Sequence, residues 1–291
     1  MASVAKTIVA TGLSSGIGLE VLKQLLEQAT PYKVILGARD FKTASDAVAR
    51  LQYDKTANAV TVLPVELADL KTVKAFAQQA LDSVGGGKID YLLLNAGMFK
   101  PADKESPGKW CEAAVVNHFS QHYLTHLLRE KLVASKTRIV VVSSGAIRNV
   151  EDPAVLEARL ANGSGADGYS VYAGSKFTQL LGAHWWRRQL NGQCDVVAVS
   201  PGLIPNTGLG RGSGFQIPPD LPDAKSVPEG AQSVIAALSR SDFPEDSDRI
   251  FLTSWGEWWD KDVIGKTLDK ELQDKWCPGK EVLERDAGVV P

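Results

Sequence analysis

KTIVATGLSSGIG, residues 6–18, is a short β-branched run that ends in a glycine turn and passes directly into an amphipathic stretch. Each glycine has a separate use in such a turn. Gly12 permits the tight reversal after the strand, Gly16 lets backbone approach a bound group, and Gly18 allows close packing of helix on sheet. The exposed N–H groups at the helix start, around Ser14, Ser15 and Ile17, are then the expected contacts of a pyrophosphate. Many βα loops need glycine for geometry alone. Placed after the first strand of a βαβ unit, the turn favours dinucleotide binding. A P-loop is excluded because no Gly-Lys-Ser/Thr follows.

Outward from this turn, short apolar runs alternate with long amphipathic ones. YKVILGA (32–38), AVTVLPV (59–65), KIDYLLLN (88–95), TRIVVVSS (137–144), CDVVAVS (194–200) and RIFLT (249–253) read as six more strands. They are nearly continuously apolar, as strands buried on both faces of a parallel sheet should be. Between them run helical stripes such as Ile17, Val21, Leu22, Leu25 and Leu26, or Val73, Phe76, Ala77, Ala80 and Leu81. The alternation predicts an α/β fold in one domain over 1–291: a doubly wound, parallel, seven-stranded sheet with helices on both faces.

Composition narrows the function. The 291 residues carry a net charge of −2 with no basic run, which argues against nucleic acid or an anionic membrane as partner. The three cysteines, Cys111, Cys194 and Cys277, are odd in number and lack a CxxC, so neither a disulfide framework nor a zinc site is expected. The first residues lack the long apolar stretch of a cleavable signal, and runs such as IVVV (139–142) are too short to span a bilayer. A reducing, cytoplasmic setting is expected.

The second strand bears on the choice of dinucleotide. It ends GARD, with Ala38 at the selecting position and Arg39 next to it. A guanidinium suits a ribose 2′-phosphate, so NADP(H) is favoured over NAD(H). Asp40 either pairs with Arg39 or caps the following helix.

Further along, YSVYAGSK (169–176) sets Tyr172 four places before Lys176, which puts both on one helix face. Such a pair is common on ordinary helices, and the order of the surrounding motifs gives it weight. TGLSSGIG (11–18), ELADL (66–70), NAG (95–97), VVNH (115–118), VVSSGA (141–146), YAGSK (172–176) and PGLIPNT (201–207) together resemble the short-chain dehydrogenase/reductase family. NHFSQHYLTHLL and PGLIPNTGLGR are most similar to its retinol-dehydrogenase and protochlorophyllide-reductase branch.

The resemblance implies a Rossmann-like fold and a set of roles. Tyr172 matches the general acid/base, Lys176 its partner and a contact of the ribose hydroxyls, Ser144 the carbonyl-orienting hydroxyl, and Asn117 the proton-relay residue. Glu66 and Leu67 would border the adenine. Asn95, Ala96 and Gly97 would pass beneath the ribose and nicotinamide, and Pro201, Gly202, Ile204 and Thr207 would cover the carboxamide. Thr207 is displaced by one residue from the family spacing, and Asn206 is a second candidate for its part. The 28 positions from Ser144 to Tyr172 exceed the usual spacing. This insert resembles that of monomeric carbonyl reductases, which implies a monomer or dimer rather than a tetramer.

The expected activity is NADPH-dependent reduction of an apolar ketone or aldehyde. The alternatives are an alcohol dehydrogenase of retinol or steroid type working oxidatively, or an NADP-binding sensor without turnover. A free phenol has a pKa of about 10, and a neighbouring cation is expected to pull it toward neutrality. Tyr169 is expected at the edge of the substrate. Residues 145–168, 201–228 and 254–291 are the expected substrate rim, the first with a short helix of its own. Trp255, Trp258 and Trp259 either line a lipophilic pocket or belong to the core. His118, His122 and His126 stand at i, i+4 and i+8 of a helix expected over 110–132. Without HExxH or a carboxylate at ligand spacing they read as a polar face, and no metal is expected.

Overall fold

The apolar runs become strands β1 (Lys6–Thr11), β2 (Tyr32–Ala38), β3 (Ala59–Pro64), β4 (Tyr91–Leu94), β5 (Arg138–Val142), β6 (Asp195–Val199) and β7 (Phe251–Leu252). They form one parallel, seven-stranded sheet in the order β3-β2-β1-β4-β5-β6-β7. The computed structural model describes residues 4–103, 108–205, 207–210, 218, 220–221 and 224–289. Asn206 and parts of the expected 201–228 rim lie outside the described residues.

Helices α1 (Gly16–Leu26), α2 (Phe41–Ala49), α3 (Leu70–Val84), α4 (Glu112–Ala114) and α5 (Ser120–Ser135) follow in the first half. After β5 come α6 (Leu156–Leu160), α7 (Gly168–Leu190), α8 (Val227–Ser239), α9 (Lys261–Ile264), α10 (Lys270–Trp276) and α11 (Lys280–Asp286). Their starts are written in the sequence. The carboxylates of Asp40, Asp69 and Asp167 accept first-turn N–H groups of α2, α3 and α7, and Ser226 with Glu229 forms a capping box on α8. Each such cap is worth about 1 kcal/mol.

Alternation along each strand splits the core into two layers. Val9, Ile35, Leu92, Ile139, Val141 and Val196 point to the layer of α3, α5 and α7, while Ile8, Val34, Leu36, Leu93, Val140 and Val197 point to that of α1 and α8. Both faces being covered is why the strands read as apolar without a break. The chain winds from β1 out to β3, returns to β4 and continues to β7. The direction of winding therefore reverses between β1 and β4, and a crevice opens above their carboxyl ends.

The expected helix over 110–132 is interrupted. It begins as α4, widens to a π turn over Val115–Phe119, and resumes as α5. Such widened turns are rare and cluster at functional sites. The insert between Ser144 and Tyr172 carries 3-10 turns at Gly145–Asn149 and Pro153–Val155, then α6. Leu156 and Leu160 pack against Gly174 of α7.

The expected polar histidine face is instead buried. His118 donates to the Trp276 carbonyl at 2.7 Å, and His122 lies 3.1 Å from the Pro278 carbonyl and 3.1 Å from His126. Trp186 closes the ladder from α7, and Trp185 donates to Asp274 of α10. The periodicity had the correct face but the wrong environment, because a distant segment, 270–286, folds back over it.

Burial holds these histidines neutral. His118 and His126 are lowered to about 4, His184 to about 3, and His122 well below the ordinary value. An unfolded chain takes up protons near pH 6.5, so stability present above that pH is lost as pH falls toward about 4. Thermal unfolding should therefore move to lower temperature between about pH 7 and about pH 5. That decrease should shrink in His118→Gln and His122→Gln variants; an undiminished decrease in both would place the acid sensitivity elsewhere.

Candidate active site

The glycine turn stands at the β1 side of the crevice. Gly12 and Gly16 take left-handed φ values of +73° and +54°. A Cβ on Gly12 would lie 2.5 Å from the Ala96 backbone, and one on Gly18 only 2.0 Å from the Gly12 carbonyl oxygen. Ser15 occupies the N-cap position of α1 but makes no side-chain cap, and the first turn contains no acidic residue. The leading N–H groups of α1 thus have no side-chain cap, and the turn before them packs on the Asn95–Ala96 backbone too closely for any side chain at Gly12. This donor set fits a pyrophosphate. Ser14 and Ile17 flank the turn, half-buried.

At the end of β2, Ala38 is buried and Arg39 projects outward, its side chain 65% exposed and 3.9 Å from the Glu66 carboxylate. Asp40 caps α2, accepting from the Thr43 N–H at 2.9 Å and its hydroxyl at 2.7 Å. Of its two expected uses, the cap is the one found. An exposed pair at that distance holds Arg39 weakly. Glu66 also accepts from the Ala68 N–H at 3.0 Å, and Leu67 is buried beside it.

Thr11 pairs with Leu94 in register, which brings Asn95 beside Gly12. Asn95 donates to the Gly12 carbonyl at 2.7 Å, and Ala96 N–H to the Thr11 hydroxyl at 3.3 Å. A Cβ on Gly97 would come within 3.2 Å of the Lys176 ammonium and 3.5 Å of Asn117 Oδ1. Asn117 itself, on the π turn and fully buried, accepts from Met98 N–H at 2.8 Å. It donates to the Met98 carbonyl at 3.0 Å and to the Ser175 hydroxyl at 2.8 Å. Its side chain thus clamps the 97–98 loop to α7.

Strand β5 and helix α7 supply the rest. Ser144 caps the turn after β5, and its hydroxyl meets Tyr172. Burial raises the Tyr172 phenol above its ordinary pKa, and the Ser144 hydrogen bond opposes this. The expected downward pull of the lysine is outweighed. The reason is in the placement of Lys176: its Nζ lies 5.9 Å from the Tyr172 ring centre and donates instead to the Val142 carbonyl at 2.9 Å and Gln179 Oε1 at 3.0 Å. Burial lowers this ammonium to about 7, so at neutral pH it is only partly charged.

Around Tyr172 stand residues that the motifs did not single out. Phe99 lies 5.5 Å from the Tyr172 ring, and its N–H donates to the Leu209 carbonyl at 3.1 Å. Trp259 and Arg148 flank Gly145, with the guanidinium 5.2 Å from the indole centre. Trp255, by contrast, is 68% exposed, and Trp258 packs on Phe243. Of the three tryptophans in 255–259, Trp259 is the one brought to the residue following Ser144. Tyr169 is half exposed, and its hydroxyl accepts from Asn149 at 2.8 Å. Pro201 is buried and Gly202 takes a φ of +99°. Thr207 approaches Gly16, while Ile204 turns into α8 against Gly230. Cys111, Cys194 and Cys277 are free and buried, and burial pushes all three thiols up, which disfavours a nucleophilic role.

Comparison with known proteins agrees with this architecture. The family model described as short chain dehydrogenase matches residues 6–154. A short-chain dehydrogenase/reductase of Pestalotiopsis microspora is 56% identical over 97% of this chain and 99% of its own. Retinol dehydrogenase 14 of Mus musculus is 29% identical over 96% of this chain and 85% of its own. In fold, the NADPH-bound carbonyl reductase from chicken fatty liver superposes with a TM-score of 0.68 at 21% identity, covering 88% of this chain and 94% of that one. On this fold and this likeness the chain belongs to the short-chain dehydrogenase/reductase family, oxidoreductases that act on CH–OH and C=O groups.

Proposed function

We propose that the protein reduces a ketone or aldehyde to an alcohol with NADPH, and that Tyr172 is the proton donor. The observation that carries this reading is the meeting of Tyr172 and Ser144 hydroxyls above β5, beside a crevice whose opposite wall is the glycine turn. When bound, the nicotinamide supplies the hydride to the carbonyl carbon. The Ser144 hydroxyl donates to the carbonyl oxygen as negative charge builds there. Tyr172 gives that oxygen its proton, so the product leaves as the neutral alcohol. Burial favours the protonated phenol, the form a proton donor needs. Asn117 holds the 97–98 loop against α7, and Lys176, held by the Val142 carbonyl and Gln179, would engage the ribose hydroxyls of the bound cofactor.

Arg39 supports the choice of NADPH. Its exposed guanidinium stands at the end of β2, next to a carboxylate that engages it only weakly. NADP-bound relatives of the same fold, such as the Sphingobium yanoikuyae short-chain dehydrogenase in complex with NADPH, point the same way. Phe99, Trp259 and the rim around them favour an apolar carbonyl compound. We also infer a monomer or dimer. α6 lies against α7, and 270–286 packs over α5 and α7, so these helix faces are not open to a second copy.

Three measurements test these readings. Tyr172→Phe should lower kcat/KM about a hundredfold or more, while Tyr169→Phe keeps most of the rate; equal losses would remove Tyr172 from its role. Arg39→Ala should weaken NADPH roughly ten- to a hundredfold and NADH little, and a matched loss for both would overturn the cofactor assignment. Light scattering should give the mass of one or two chains, and a stable tetramer would contradict the covering of α5 and α7.

A further inference from the structure

The mechanism needs a positively charged Lys176, yet among the described residues no carboxylate is paired with it. Its side chain is 3% exposed. Val142 brings a carbonyl from the end of β5, Gly97 brings backbone from the loop after β4, and Asn117 brings a neutral amide from the π turn. Tyr172, on the same helix, is the titratable side chain set against it. An ammonium in such a place is held by neutral acceptors or it is not held at all.

One of those acceptors is a side chain. Gln179 lies one turn beyond Lys176 on the same face of α7, and its Oε1 accepts from Nζ at 3.0 Å. Gln179 is itself 4% exposed, and its Nε2 has no hydrogen-bond partner. A glutamine kept in the core with one amide atom unsatisfied is a poor packing residue. Leucine would fill a similar volume without leaving a buried polar atom unpaired. The hydrogen bond to Lys176 is what the amide contributes there.

We propose that Gln179 is a positioning residue for Lys176, its side-chain carbonyl being one of the two acceptors that fix where the ammonium points and keep it charged. The inference rests on the reading of Lys176 given above. Removing the acceptor leaves the ammonium with the Val142 carbonyl alone and favours the neutral amine. Replacing it with a carboxylate does the opposite. A residue that merely fills space on α7 has no reason to shift the lysine in two directions.

The test is a titration of Lys176 in the full-length protein carrying [ε-13C]lysine, followed by NMR. The Lys176 signal is identified by its loss in Lys176→Arg. Against wild type, the midpoint should fall by about one pH unit in Gln179→Leu and rise by about one unit in Gln179→Glu. Midpoints that stay put in both variants, or move the same way, would overturn the proposal. Should Gln179→Leu fail to fold, the upward shift in Gln179→Glu, with Gln179→Asn as a shortened amide that falls below wild type, decides alone. The alkaline limb of kcat/KM for NADPH, measured on a panel of ketones, aldehydes and quinones, separates the two levels of the argument. If the NMR midpoints shift as stated but the limb does not follow, Gln179 positions Lys176 and it is the catalytic reading of Lys176 that fails.

Discussion

The candidate site is organised around a buried amine, in a place that disfavours charge. Lys176 is enclosed by α7, the end of β5 and the loop after β4, and burial lowers it to about 7. Everything near it is arranged to tolerate that ammonium without neutralising it. Carbonyl oxygens of Val142 and Gln179 accept its hydrogen bonds, Gly97 leaves it room, and the Ser143 hydroxyl donates to its backbone carbonyl at 3.1 Å. A carboxylate in the same spot would stabilise the charge more strongly, but would cancel the positive potential that a phenolate or a ribose hydroxyl could use. The opposite shifts of Tyr172 upward and Lys176 downward have one cause, the exclusion of water.

Placement of this amine depends on the sheet. The reversal of winding between β1 and β4 brings Gly12 beside Asn95, and β5 adds Ser144 one strand further on. Helix α7 then crosses behind β5 and contributes Tyr172 and Lys176 from one face. The π turn is what lets Asn117 reach both the 97–98 loop and Ser175. Gln121 compensates the widened turn, donating to the carbonyls of Ala96, Val116 and Asn117 at 2.8–3.1 Å. Hydrogen bonds thus tie the loop after β4 to the glycine turn, to the π turn and to α5, the kind of fixed placement a hydride-transfer geometry requires.

Much of this was legible in the residues. Strands with no polar interruption announce a sheet covered on both faces, and Gly12, Gly16 and Gly18 fall where their missing side chains are needed. Ser144, Tyr172 and Lys176 were recognisable because they sit in ordered motifs, and they do converge. What could not be read was tertiary. His118, His122 and His126 have the spacing of a polar face, and only the return of 270–286 makes them core. The π turn leaves no pattern, because VVNHF is compatible with an ordinary helix. Gln179 belongs to none of the ordered motifs; its i+3 relation to Lys176 is the signal the sequence carries. Phe99 and Trp259 reach the site from positions distant in sequence, and no local motif marks them.

Catalysis as proposed requires the cofactor to lie across this crevice with its reactive ring at Tyr172. A crystal structure of the protein with NADP+ addresses that claim most directly. It should show the pyrophosphate on the N–H groups between Gly12 and Gly18, the 2′-phosphate at Arg39, and the nicotinamide within hydrogen-bonding reach of the ground between Ser144 and Tyr172. A dinucleotide bound elsewhere, or a nicotinamide that faces away from the Tyr172 hydroxyl, would contradict it.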